Sequence, residues 1–161
     1  MNELEKLFER RWPNFKPEEI LSPDMIELWE KKGVFPYSFC ALDGLQFLRR
    51  DLGKPIIVNH SADCRRGARS IPEAVSLINE AKAQRYSFHL WCAFDISVVG
   101  MTSVQLYEAI VKSAFFFGIG VYDTFIHIDD RDVVDNKIVV WDSRTDQSVP
   151  LKTPDEIWSN T

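Results

Sequence analysis

Cysteine and histidine are both scarce in this chain, with three of each among 161 residues. Cys40, Cys64 and Cys92 are odd in number and no two stand at CxxC spacing. That argues against a disulfide framework and against a cysteine-rich zinc site. Free thiols in a reducing compartment are the natural reading, each a small buried hydrophobe. Long apolar runs are missing too. The longest, Leu90 to Phe94, has five residues and is ended by Asp95, whereas a membrane-spanning helix needs roughly 18. From Met1 to Arg11 acidic and basic residues alternate with no apolar stretch, so no signal peptide is expected. Positive charge is in deficit: the formal net charge is −5, and no block rich in Lys or Arg offsets it. That argues against a general nucleic-acid binder. Repeats, low-complexity tracts and linkers are absent as well.

What is present is the composition of a folded domain. The chain is 45% hydrophobic and 27% charged, too apolar for intrinsic disorder. Its length suits a single domain over residues 1–161 that buries about 70% of its unfolded surface. Prolines 13, 17, 23 and 36 crowd the start, so residues 1–40 read as short helices wrapped on the rest. Ser22-Pro23 looks like a cap and first helical residue, with Gly33 near the stop. Leu42, Leu45, Leu48 and Leu52 repeat at helical spacing before Gly53, and Ile56, Ile57 and Val58 follow as a short buried strand. Residues 71–83 read as a helix and residues 87–99 as a strand ended by Gly100. Thr102 and Gln105 fit a capping box, for a helix with Val104, Tyr107, Ile110, Val111 and Ala114 inward. Gly118 and Gly120 punctuate a turn, supplying backbone conformations open to glycine. Strands over 125–129 and 137–141 follow, the second after the turn-forming Asp135-Asn136. The layout is α+β, with helices packed on one face of a small, mostly antiparallel sheet.

Two of the three histidines sit in apolar stretches beside carboxylates. One stretch holds His89 and Asp95, the other His127 and Asp129. On a strand, residues at even separation share a face, so each pair can point to one side. Two imidazoles and one carboxylate, with a position left for water, make a catalytic zinc set. Such a metal lowers the pKa of water and polarises a carbonyl, and a separate carboxylate takes the proton. The same two histidines equally suit hydrogen-bonded positions in a core. Trp91 and Phe94 read as core.

At these residues the sequence resembles the zinc D,D- and L,D-peptidase family, in its phage and bacterial branch of small single-domain members. The match runs from about Glu18 to Trp141. It includes Leu48-Arg49-Arg50-Asp51-Leu52-Gly53-Lys54-Pro55-Ile56-Ile57-Val58-Asn59, Gly118-Ile119-Gly120-Val121-Tyr122 and Phe125-Ile126-His127-Ile128-Asp129-Asp130-Arg131. Trp141 falls where the family often carries an aromatic residue. The resemblance implies a fold shared with the hedgehog signalling domain. It implies Zn²⁺ held by His89, Asp95 and His127. Asp129 is typical of the family, and its plainer role is to orient His127 or a neighbouring strand. It implies hydrolysis of a peptidoglycan cross-link or stem peptide, as an endolysin or a D-alanine-type carboxypeptidase would perform it. A chain without a signal peptide suits a phage lysin, made in the cytoplasm and released to the wall, or a virion-associated one. Neither nucleic acid nor membrane is an expected partner.

The sequence departs from the family pattern in several places. The step from His89 to Asp95 is six residues rather than seven, with Cys92 or Ala93 where a glycine is usual. The family's arginine after the Val-Asn strand falls on Asp63, leaving Arg65 or Arg66 to anchor substrate through a loop shift, with His60 nearby. The helix over residues 71–83 replaces a short loop, and Ser87 is expected in the site or at its turn. Thr124 stands where several members carry the acid, which leaves Asp123, just after Tyr122, as the general base. These departures also fit an alternative, a catalytically degenerate module of the same fold with a structural or binding role in a virion or at the cell wall.

Overall fold

Side chains that cap N-terminal ends account for most of the helix starts. In a computed structural model of the chain, residues 1–35, 37–59, 64–65, 68–69, 88–131 and 137–160 are described. Helix α1 (Glu3–Arg11) starts at a capping box of Asn2 and Glu5. A single turn, α2 (Pro17–Ile20), leads to α3 (Pro23–Lys32), where the Ser22 side chain accepts from the Met25 amide. That helix stops at Gly33, held in the left-handed region at φ 64°. Helix α4 (Phe39–Leu52) starts three residues ahead of its apolar repeat, because Ser38 caps the Ala41 amide. Gly53, at φ 60°, ends it.

Helix α5 (Ser103–Ser113) carries the Thr102–Gln105 box expected of it. Its inward face differs slightly from expectation: Leu106 is buried where Val104 was expected, and Ala114 is exposed. Ala114 closes the helix in the left-handed conformation, φ 56°, which turns its methyl group away from the core. A short helix, α6 (Pro154–Trp158), follows a box of Thr153 and Glu156.

The main sheet has five strands. They are β1 (Ile56–Val58), β4 (Ala93–Val98), β5 (Gly118–Val121), β6 (Ile126–Asp129) and β7 (Val139–Asp142), in the order β1-β4-β6-β5-β7. Every neighbouring pair is antiparallel except β5 with β7. A separate antiparallel ribbon joins β2 (Cys64–Arg65) to β3 (Ala68–Arg69). The α+β class with a mostly antiparallel sheet is therefore observed.

Strand alternation divides the sheet into two faces. Phe94, Ile96, Val98, Ile119, Val121, Ile126 and Ile128 point one way and join the hydrophobic core. Leu42, Leu45 and Leu48 of α4, Tyr107, Ile110 and Val111 of α5, and Leu4, Phe8 and Trp12 from the start of the chain belong to the same cluster. Each such side chain contributes roughly 1.5–3 kcal/mol when fully buried. β1 lies at one end of the sheet order and is only partly covered, with Ile57 47% exposed.

The strand expected over residues 87–99 is shorter than its apolar run. Phe88–Leu90 form one turn of 3₁₀ helix, and the strand begins at Ala93. The amides of Trp91 and Cys92 both donate to the Phe88 carbonyl, which winds the chain here. The Trp91 carbonyl accepts from the Ser38 amide, and the Ala93 carbonyl accepts from the Tyr37 hydroxyl. His89 therefore does not reach the site from a strand.

The helix expected over residues 71–83 lies outside the described residues. So do His60, Asp63, Arg66, Ser87 and the Asp135-Asn136 turn. For Cys64 and Arg65 only the backbone, in β2, is described. Cys92 is buried as expected, but Cys40 is exposed, because it lies on the outer side of the first turn of α4.

Candidate metal centre

The site lies on the sheet face opposite the core. In the register, Asp95 of β4 pairs with His127 of β6, His127 with Gly120 of β5, and Gly120 with Trp141 of β7. These four residues form one row across four strands. The next row holds Ala93, Asp129, Gly118 and Val139. Because Asp95 and His127 are cross-strand partners, sheet pairing alone brings them together.

His89 comes to this row from the 3₁₀ turn. Its Nε2 lies 3.5 Å from Asp95 Oδ1, and His127 Nδ1 lies 3.0 Å from the same oxygen. The two imidazoles meet edge to face at 4.8 Å between centroids. One ligand atom each from His89, Asp95 and His127 falls within a 4.8 Å group.

Ligand atoms around a tetrahedral zinc ion lie about 3.3 Å apart, given metal–ligand bonds near 2.0–2.1 Å. The two separations at Asp95 Oδ1 lie near that edge length, while the three-atom group extends to 4.8 Å, wider than a closed tetrahedral face, so these residues could hold a metal ion after a small inward movement. The six-residue step from His89 to Asp95 does not prevent the meeting. On a continuous strand six residues would share a face but stand about 20 Å apart, and the 3₁₀ turn folds His89 back to Asp95.

Asp129 is fully buried and holds the other side of His127, its Oδ2 3.0 Å from Nε2. It also takes a two-pronged contact from Arg131, with Nε at 2.6 Å from Oδ1 and Nη2 at 2.5 Å from Oδ2. Burial works against the Asp129 charge, but Arg131 and then His127 outweigh it and hold the carboxyl below its ordinary range. Burial likewise opposes the charged His127 ring. Its contacts with Asp129 and then Asp95 prevail, so His127 titrates above the ordinary histidine range.

The two glycines of the Gly-x-Gly segment do a different job from the one expected. They lie inside β5, and neither adopts the positive φ that would call for glycine. What they supply is space. A Cβ at Gly118 would run into the Asp129 carboxylate and the Arg131 guanidinium, and a Cβ at Gly120 would run into the Trp141 indole. Trp141 packs at 5.3 Å from His127 and donates through its indole N–H to the Tyr122 hydroxyl at 3.3 Å. Tyr122 in turn stacks on Phe125.

Asp123 lies at the tip of the β5–β6 hairpin and is exposed. Its Oδ1 accepts from the Thr145 amide at 2.9 Å and its Oδ2 from the Thr145 hydroxyl at 2.6 Å. Trp91 and Phe94 are core residues, as expected. The residues that sequence reasoning left without a role are Arg131, Phe88 and Trp141. One signal was available: Arg131 stands two residues after Asp129, a spacing that on an extended chain puts a cation beside the carboxylate.

Among the described residues no helix is long and apolar enough to cross a membrane. No protein-family model matches the chain, and searches of curated proteins and of solved structures return no match either.

Proposed function

We propose that the chain is a zinc-dependent hydrolase of peptidoglycan stem peptides or cross-links, built like the D,D- and L,D-peptidases that its motifs resemble. The observation that carries this reading is the His89–Asp95–His127 group, whose donor atoms lie within 4.8 Å of one another, with Asp95 Oδ1 3.5 and 3.0 Å from the two imidazoles. Three protein ligands of this kind are the usual complement of a hydrolytic rather than a structural zinc site. A bound zinc supplies Lewis acidity, polarising the scissile carbonyl and making water nucleophilic near neutral pH.

The protein's own groups divide the rest of the work. Asp129 holds the His127 ring in place through Nε2. Asp123 takes the proton of the attacking water once Thr145 releases its carboxylate. Arg65 or Arg66, with Ser87, anchors the peptide. Asp95 is 23% exposed at its side chain while His89 and His127 are largely covered, so substrate approaches from the carboxylate side.

The test has two stages. Elemental analysis of purified protein is expected to give about one zinc per chain, the stoichiometry of a mononuclear site, and to lose it in His89→Ala and His127→Ala. Digests of purified peptidoglycan are then expected to release new stem-peptide ends with the wild type alone. A metal-free wild type after zinc supplementation overturns the reading.

One observation favours a second reading. Both oxygens of Asp123 are taken up by Thr145, the arrangement expected if the fold serves as a binding or structural module in a virion or at the cell wall. Zinc binding and wall binding without any hydrolysis would select it.

A further inference from the structure

The cluster beside the histidines contains a group with no role so far. The Arg131 guanidinium carbon lies 4.6 Å from the Phe88 ring centre and 5.4 Å from that of Trp141. Its Nε and Nη2 grip both oxygens of Asp129, and its backbone amide donates to Asp129 Oδ1 at 3.2 Å. Arg131 therefore touches two separate supports of the candidate centre. Phe88 is the residue before His89, in the same 3₁₀ turn. Asp129 is the residue that holds His127 through Nε2. Gly118 lacks the side chain that would occupy this space.

We propose that Arg131 is the positioning residue of the metal centre, one guanidinium that fixes both histidines at once. Its edge sets the Asp129 carboxylate, which orients the His127 ring. Its planar group seats Phe88, which sets the turn carrying His89. His89 stands in the 3₁₀ turn ahead of the first residue of β4, so the seating of that turn sets where its ring meets Asp95 and His127. Only a planar, forked cation does both jobs. A lysine ammonium would keep the charge next to Asp129 but has neither the two-pronged grip nor a flat face to lay on an aromatic ring. This inference rests on the reading of His89, Asp95 and His127 as a metal site.

The decisive variant is Arg131→Lys, because it retains the charge pair. If Arg131 only balances the buried Asp129 charge, lysine rescues it. If Arg131 positions the ligands, lysine fails. Zinc affinity, measured by competition with a chromophoric chelator, is expected to fall 10- to 100-fold, the usual cost of losing a group that orients metal ligands. The visible spectrum of the cobalt-substituted protein is expected to change with it. Phe88→Leu, which spares the Asp129 grip, is expected to give a smaller loss. Thermal melting of the metal-free variants checks that each is folded.

Wild-type zinc affinity and an unaltered cobalt spectrum in Arg131→Lys overturn the proposal. If the wild type takes up no zinc, the metal reading fails separately, and histidine ring NMR of the metal-free protein decides. Movement of both the His89 and His127 ring signals in Arg131→Lys, with only His89 moving in Phe88→Leu, supports the positioning role. Unmoved rings reject it.

Discussion

At the scale of single residues, the site depends as much on atoms left out as on ligands put in. Gly118 and Gly120 leave the room that Asp129, Arg131 and Trp141 occupy. The two vacancies are expected to behave differently when filled. In Gly120→Ala the new methyl meets the far part of an indole, which can swing outward. In Gly118→Ala it meets a buried ion pair with nowhere to move. Overpacking costs typically 1–3 kcal/mol, so urea unfolding should place Gly118→Ala towards the upper end and Gly120→Ala towards the lower. Gly120→Ala should also alter tryptophan fluorescence through Trp141. Equal, negligible losses would mean that the open face is loosely packed.

A second residue-scale expectation concerns acid stability. Asp43 accepts from Arg11 at 3.0 and 2.7 Å and from the Trp12 indole N–H at 2.8 Å, tying α1 to α4. The hydrogen bond from Arg11 outweighs burial and, with that from Trp12, lowers its pKa. Since the folded value is the lower one, this contribution is complete above the unfolded carboxylate pKa, about 4. It is lost as pH falls through the depressed folded value. Asp43→Asn should therefore be less stable than wild type at neutral pH, with the gap closing in acid. A gap independent of pH would show that the charge is not what matters.

At the scale of elements, what was legible in the sequence is what is encoded locally. The Ser22 cap, the Gly33 and Gly53 stops and the Thr102–Gln105 box were readable because cap and helix lie within a few residues of each other. Strand period placed each histidine on a face with its own carboxylate, His89 with Asp95 and His127 with Asp129, and the family resemblance joined His89, Asp95 and His127 into one set. What brings Asp95 to His127 is the pairing of β4 with β6, which period alone does not give. The 3₁₀ turn at His89 was not readable. Its run of Phe88, Leu90, Trp91, Cys92 and Phe94 looks like a buried strand, and the hydrogen bonds that wind it include partners at Tyr37, Ser38 and Asp130. The purpose of the two glycines was hidden for the same reason, since the groups they make room for come from two other strands.

The ends of α5 give an element-scale test. Thr102→Ala removes the cap of the Gln105 amide and should cost about 1 kcal/mol. Ala114→Gly relieves a left-handed alanine at φ 56° on the surface. It should stabilise the protein by about 1 kcal/mol, the lower end of the alanine penalty in that conformation. Denaturant unfolding of the two single variants and the double reads both. The termini lie about three helical turns apart, so the two effects should add. Destabilisation by Ala114→Gly would mean that the methyl packs after all.

At the scale of the whole molecule, the helices that open the chain and the candidate centre occupy opposite sides of one structure. Leu4, Phe8, Trp12, Ile20 and Met25 are each essentially inaccessible and belong to the same core cluster as the inner face of β4 and β6. Tyr37 and Ser38 then carry the connection to the site side. Ser38 donates to Asp130 at 2.7 Å and its amide donates to Trp91, while Tyr37 reaches Ala93. A ligand that fixes His89, Asp95 and His127 should therefore stabilise the early helices as well. Linkage sets the size: zinc at 100 times its dissociation constant adds about 2.7 kcal/mol. The wild type should melt at a higher temperature with zinc, and His89→Ala should not respond. Far-ultraviolet dichroism, dominated by the helices, and tryptophan fluorescence should shift together. Trp12→Ala should lower both midpoints, since truncating a buried tryptophan costs about 3–5 kcal/mol, while the zinc-induced rise persists. If zinc moved the fluorescence transition alone, the early helices and the sheet would be separate cooperative units, and the Tyr37–Ser38 connection would not carry the coupling.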